Sequence, residues 1–226
     1  GANVNYAYKY HVKLRLKNNV TADQAKRAGV MAVTTKAGLA SNATAAYVYA
    51  ALGSRLVTKP DAQVYPIQGK EVTKKVGAPI VGNLDNPVEI GFVTRNDGSK
   101  DFPDGMSWSW LNGKPSTSTA GVFKRQVKAT YSDNTSNTTT ATLKVIPNQP
   151  TIDRSSVNEK AGKTGQVVTV NVGNGVPNGS KVNIYDGNTV IGTGITNGGT
   201  ATVTVTGALP EKPITAETVV NNGGTV

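Results

Sequence analysis

Between Pro115 and Ile146 the chain reads PSTSTAGVFKRQVKATYSDNTSNTTTATLKVI, and no other stretch restricts the fold as strongly. Val122 to Tyr131 and Thr138 to Ile146 are rich in Val, Thr, Phe and Tyr, side chains that fit a half-buried pleated surface, and Ser132-Asp133-Asn134 supplies turn chemistry between them. The spacing predicts one long β-hairpin. In its second arm Thr139, Ala141, Leu143 and Val145 fall on one face and Thr140, Thr142 and Lys144 on the other, the period of two that a half-buried strand requires. In the first arm Phe123, Val127, Ala129 and Tyr131 share a face interrupted by Arg125, so an edge strand or a bulge near Arg125 is expected.

The rest of the chain is also punctuated into short strands. Lys59-Pro60-Asp61 and Tyr65-Pro66 mark one boundary and Asn148-Gln149-Pro150 another, dividing the sequence into units 1–59, 60–147 and 148–226. In the middle unit, strands are expected at Glu71 to Val76, Val88 to Val93 and Met106 to Leu111. The last unit offers Val167 to Val172, Lys181 to Tyr185, Thr189 to Ile195, Thr200 to Thr206 and Ile214 to Val220. Turn signals recur there roughly every 8 to 12 residues, the rhythm of an all-β sandwich. A composition of 25 Gly and 11 Pro, with only 17% charged and 6% aromatic residues, favours strands and turns over helix.

Residues 6–17, YAYKYHVKLRLK, alternate without a break: Tyr6, Tyr8, Tyr10, Val12, Leu14 and Leu16 face one way and Lys9, His11, Lys13, Arg15 and Lys17 the other. Thr21 and Gln24 have capping-box spacing before a helix-tolerant run Ala22 to Ala28 closed by Gly29, and Val30 to Thr35 and Ala45 to Thr58 read as further strands. The N-terminal unit is therefore expected to be β-rich with one small helix. It also carries most of the net charge of +10: residues 1–59 hold nine Lys and Arg against the single acid Asp23. Cations two residues apart on a strand stand ~7 Å apart, close to phosphodiester spacing, so the Lys9 to Lys17 face is a candidate polyanion-binding strip. Teichoic acid and heparan sulfate are the favoured ligand classes and nucleic acid the least favoured. The competing reading is a solvated, aggregation-resistant outer face.

Trp108 and Trp110 are two apart and share a face, either packed on the core or exposed as a stacking platform for carbohydrate. The acidic loop Asp97 to Gly105 lacks the Gly and Glu of an EF-hand, Phe102 and Trp108 standing in their places, and no metal or cofactor is expected. With one His, no Cys, and no phosphate loop, nucleophile elbow or zinc motif, the sequence offers no catalytic constellation and an enzyme is not expected. No apolar run approaches the ~20 residues of a membrane span. The chain opens on Gly1-Ala2 rather than Met and is expected to be a piece of a longer protein.

In residues 60–147 the order of a Trp-bearing strand, a Ser/Thr-rich turn ending in Gly121, a strand ending in Thr130-Tyr131, a turn and Leu143-Lys144-Val145 resembles the Rib/alpha-like repeat of Gram-positive surface proteins. That family's turn usually carries Pro-Asp-Gly where this chain has Ser132-Asp133-Asn134. The run Gly179 to Asn188 followed by Ile191-Gly192-Thr193 is similar to a bacterial Ig-like repeat of wall-anchored adhesins. Together these resemblances imply tandem immunoglobulin-like β-sandwich modules from a large staphylococcal-type surface adhesin. They further imply an extracellular, cell-wall location, a spacer or stalk role without a catalytic site, and a host extracellular-matrix or cell-wall polymer as partner of the whole protein.

Overall fold

The computed structural model describes residues 32–34, 46–48 and 59–226, and these are built almost wholly of strands and turns, as the β-branched and glycine-rich composition requires. The chain divides into two compact units, Gly1–Lys59 and Pro60–Val226. In the first, β1 (Ala32–Thr34) pairs antiparallel with β2 (Ala46–Val48), Ala32 opposite Val48, both within stretches expected to be strands. The expected strand 6–17 and the helix Ala22 to Ala28 lie outside the described residues.

The second unit begins with a single helical turn, Asp61–Val64, followed by β3 (Ile67–Gly69), β4 (Glu71–Lys75), β5 (Val93–Arg95), β6 (Ser107–Trp110), β7 (Gly121–Thr130) and β8 (Ser136–Ile146). Strands β3 and β5 pair with each other, the remaining four form a sheet in the order β4-β8-β7-β6, and the two sheets share one core as a first sandwich. The β7–β8 hairpin keeps unbroken register from Gly121 opposite Val145 to Thr130 opposite Ser136. Its inward side chains alternate as the sequence requires: Ala141, Leu143 and Val145 from β8 and Val127 from β7 are buried in a core with Phe92 and Val93. At the turn, Asn134 adopts φ 65°, a left-handed conformation that Asn tolerates, and Tyr131 N–H donates to Thr135 O at 2.9 Å.

Two expectations are corrected here. Strand β7 is not an outer strand and has no bulge at Arg125, which pairs with Ala141 in regular register. Arg125 fits an inward-reading position because it is only half-buried and lays its guanidinium over the Phe123 ring, 5.6 Å from the centroid. The apolar run Val88 to Val93 is a strand only at its end. Asn86 accepts from Glu89 N–H through its side chain (3.2 Å) and from Ile90 N–H through its carbonyl (3.3 Å), winding residues 87–91 into turns.

Beyond β8 come β9 (Thr151–Ile152), a 3₁₀ turn (Arg154–Ser156), β10 (Val167–Asn171), β11 (Lys181–Asp186), β12 (Thr189–Ile195), β13 (Thr200–Thr204) and β14 (Thr215–Val219). They form two three-stranded sheets, β13-β10-β9 and β12-β11-β14, packed as a sandwich. Val168, Val170, Val182, Ile184 and Val203 fill the space between them with no exposure to solvent. The five strands expected from the turn spacing are all present within two residues at each end. Among the described residues no helix is long and apolar enough to cross a membrane.

Both tryptophans lie on β6, so indole fluorescence reports on the core around Leu143. Leu143, fully buried, should cost about 2–5 kcal/mol when cut to Ala, through lost burial and the cavity left behind. Val81→Ala, at a side chain 80% exposed in the same part of the chain, should change stability by no more than about 0.5 kcal/mol. Urea unfolding followed by tryptophan fluorescence measures both.

Candidate functional site

The basic residues Lys9, His11, Lys13, Arg15 and Lys17 lie outside the described residues. Trp108 and Trp110 share a face of β6, as their spacing requires, and both pack half-buried against the core. Trp110 meets Phe92 edge to face (centroids 5.6 Å apart) and donates its indole N–H to Leu84 O at 2.7 Å. Trp108 meets Phe102 in the same manner at 5.4 Å and lines a shallow depression of about 350 Å³ with Val88, Glu89, Lys100 and Met106, which Trp110 does not reach. In the loop before β6, the Asp97 carboxylate accepts Ser99 N–H at 2.9 Å. Among the described residues no His, Asp and Glu cluster is arranged to hold a metal ion.

Two other constellations follow from where the chain enters and leaves the four-stranded sheet. The first is at the tip of the β7–β8 hairpin. Asp61 N–H donates to Asp133 Oδ2 at 2.7 Å, Ala62 N–H to Thr135 Oγ1 at 3.0 Å, and Asn137 Nδ2 to Ala62 O at 2.8 Å. Buried Tyr131 stacks against Tyr65 with centroids 6.3 Å apart, its hydroxyl donates to Tyr65 O, and Arg95 covers the other partner at 5.0 Å from the Tyr65 centroid. Residues 61–65 are thereby fastened to the hairpin.

The second is the seam between the two sandwiches. Strand β6 pairs with β7 only from Val127 to Thr130, so the edge from Gly121 to Gln126 takes its partners from elsewhere. The Asn112 side chain serves Gln126 N–H (2.8 Å) and Lys124 O (3.2 Å) in place of a strand. Farther along, Ala120 N–H donates to Gly175 O and Val122 N–H to Asn222 O, each at 2.8 Å, while Asn222 Nδ2 returns to Ala120 O at 3.0 Å. Val220 is buried in the core beside Val76 and Ala120, and Val176 and Val226 pack against it. Gly223 is required here: at φ +70°, a Cβ would strike the carbonyl of Val122.

Sequence pattern alone singles out neither Asn222 nor Gly223. Asn221-Asn222-Gly223-Gly224 between valines is a hairpin signal, and residues 220–226 do fold back, Val220 N–H donating to Val226 O at 3.0 Å and Val226 N–H to Val220 O at 2.9 Å. What local pattern cannot supply is the partner, a strand edge 102 residues earlier.

No protein-family model matches the chain. It is 32% identical over 111 residues to the extracellular matrix-binding protein ebh of Staphylococcus aureus strain MRSA252, a match covering 47% of this chain and 1% of that protein. The chain is similar to part of a staphylococcal matrix-binding protein. The extracellular matrix-binding protein EbhB of strain N315 is 34% identical over 111 residues, 47% of this chain and 3% of that protein. The chain thus spans only a few hundredths of the length of these relatives. Among solved structures, extracellular cadherin domains 3-6 of Protocadherin Gamma B2 cover 70% of this chain and 44% of that chain at 10% identity and a TM-score of 0.25, a likeness too slight to carry an argument.

The hairpin-tip carboxyls should titrate apart. The Asp61 amide, then the Thr135 hydroxyl, holds Asp133 below the usual Asp value, whereas desolvation, then the Asp133 charge, raises Asp61. Stability contributed by Asp133 is complete above the unfolded value of about 3.9 and is lost as pH falls through its lower folded value; Asp61 acts in the opposite sense, favouring the folded state as pH falls through its raised value. A carboxyl ¹³C NMR titration should give the two midpoints on opposite sides of the ordinary value. Asp133→Asn should lower the Asp61 midpoint only partway, because desolvation remains.

Proposed function

We propose that residues 60–226 are two adjoining spacer modules, 60–147 and 148–226, of a cell-wall-anchored bacterial surface adhesin, holding a binding region away from the cell. The observation that carries this reading is the completion of one sandwich by the other: Gly175, Val220 and Asn222 close the edge and core around Ala120 and Val122, which suits a joint of fixed angle. The similarity to staphylococcal extracellular matrix-binding proteins supports the adhesin setting, and the Rib/alpha-like and Ig-like resemblances support a repeated, non-catalytic architecture. A host matrix polymer is then the partner of the whole protein, with these modules setting reach and orientation.

The chain contains no cysteine, so spin labels can be placed singly at exposed Lys128→Cys and Asp186→Cys, one in each sandwich. A single narrow distance distribution is expected from electron-spin distance measurements, broadening when Gly223→Val removes the joint. A broad distribution in the parent chain would contradict a fixed spacer.

A second reading rests on the charge of residues 1–59, nine cations against one acid. In it the strip Lys9, His11, Lys13, Arg15 and Lys17 binds a polyanion such as teichoic acid or heparan sulfate. Affinity for heparin should then fall steeply with salt, and further with Lys13→Glu and Arg15→Glu. Salt-independent retention, or none, would remove this reading. The Trp108 depression is the corresponding place for a glycan, with Trp110 outside it.

A further inference from the structure

The pairing of β4 with β8 is parallel, the only such pairing among the described strands. Glu71 stands opposite Thr142 and the register holds to Lys75 opposite Ile146. Hydrogen bonds continue the same alignment beyond both ends of these strands. Toward the chain's entrance, Thr142 N–H donates to Lys70 O at 3.0 Å and Gly69 N–H to Thr139 Oγ1 at 2.9 Å. Before that come the contacts of Ala62 with Thr135 and Asn137 and of Asp61 with Asp133. Toward the exit, Val76 N–H donates to Ile146 O at 3.0 Å and Asn148 Nδ2 to Val76 O at 3.2 Å.

The sequence separation across all of these side-chain contacts stays between 70 and 75 residues. A near-constant offset means that residues 61–76 run alongside 133–148 in one direction throughout. Gly69 shows how close the approach is, since a Cβ there would overlap the carbonyl of Thr140. An ion pair, Lys144 Nζ to Glu71 Oε1 at 3.5 Å, also bridges the seam, although both partners are too exposed for it to count for much.

The direction of the chain gives this arrangement a mechanical meaning. The chain enters at the Asp61 end of the seam and leaves at the Asn148 end. Tension drawn from Pro60 and Pro150 therefore pulls the two segments past each other along their length. Every hydrogen bond of the seam is strained at once, and none can fail without the others taking up the load. An antiparallel pair held at neighbouring ends would open one bond at a time instead. Each bond is individually weak, so resistance depends on loading them together.

We propose that residues 60–148 form a shear-loaded clamp, making this sandwich a tension-bearing element of the chain. The proposal deepens the spacer reading and rests on it for the source of the tension, but not for the clamp itself. Forced unfolding is governed by the unfolding rate, not by equilibrium stability, so the clamp should be visible in force and silent in melting.

The test uses the full 226-residue chain, whose lack of cysteine allows handles at chosen sites. Lys59→Cys with Gln149→Cys places only the clamp in the force path and loads it in shear. Lys59→Cys with Ser132→Cys attaches both handles at one end of the seam and peels it. All three positions are exposed, so both double variants should melt at the same temperature. At equal pulling speed the shear pair should rupture at a several-fold higher force than the peeling pair. Equal rupture forces with equal melting temperatures would overturn the clamp. The outcome is separable from the spacer reading, which fails on a broad spin-label distance distribution whatever the rupture force.

Discussion

Strand β6 covers only the Val127 to Thr130 part of β7, and the backbone groups along the remainder of that edge need partners from elsewhere. A buried amide left unpaired costs as much as a lost hydrogen bond or more, and Ala120, Val122 and Gln126 each find a partner outside the sheet. Asn112 supplies one substitute strand with its side chain, and Gly175 and Asn222 supply another from beyond residue 148. The second sandwich therefore enters the structure of the first as part of its sheet edge. Val176, Val220 and Val226 follow as part of its apolar cluster, because the segment that satisfies the edge also brings valines onto Val76 and Ala120. An edge that would otherwise invite pairing with another chain is covered by the next element of the same chain.

The opposite edge of the same sheet is handled differently. There β4 lies parallel to β8, and the residues before and after it continue the contact from Asp61 to Asn148. One edge of the β4-β8-β7-β6 sheet thus holds the incoming chain and the other holds the following sandwich.

What was legible in the sequence was whatever depends on local pattern. The alternation of Ala141, Leu143 and Val145 with Thr140, Thr142 and Lys144 gave the buried face of β8 because one side of that strand packs on the core and the other is wet. The turn signals located the strands of residues 167–219 because each short strand is bounded by residues that favour turns. Val88 to Val93 was misread because the Asn86 and Pro87 carbonyls and the Asn86 side chain draw an apolar run into turns, an effect that outweighs its β-favouring composition. Arg125 suggested a bulge because periodicity counts it as polar, whereas its stem and its stacking on Phe123 let it occupy the position without breaking register. The seam at Asn222 was illegible for a different reason: its partner is a strand edge that only the fold brings near. Of the candidate ligand-binding residues, Trp108 and Trp110 fell on one strand face as expected, and the basic strip lies outside the described residues.

Native-state amide hydrogen exchange tests the joined architecture most directly. If the second sandwich completes the first, the Ala120 and Val122 amides, which donate to Gly175 and Asn222, should exchange only through the same large opening that exposes the Val127 and Leu143 amides in the core. Their protection should fall together in denaturant with the same slope. Rapid exchange at Ala120 and Val122 while Val127 and Leu143 stay protected would mean that the two sandwiches merely touch, and the account would be wrong.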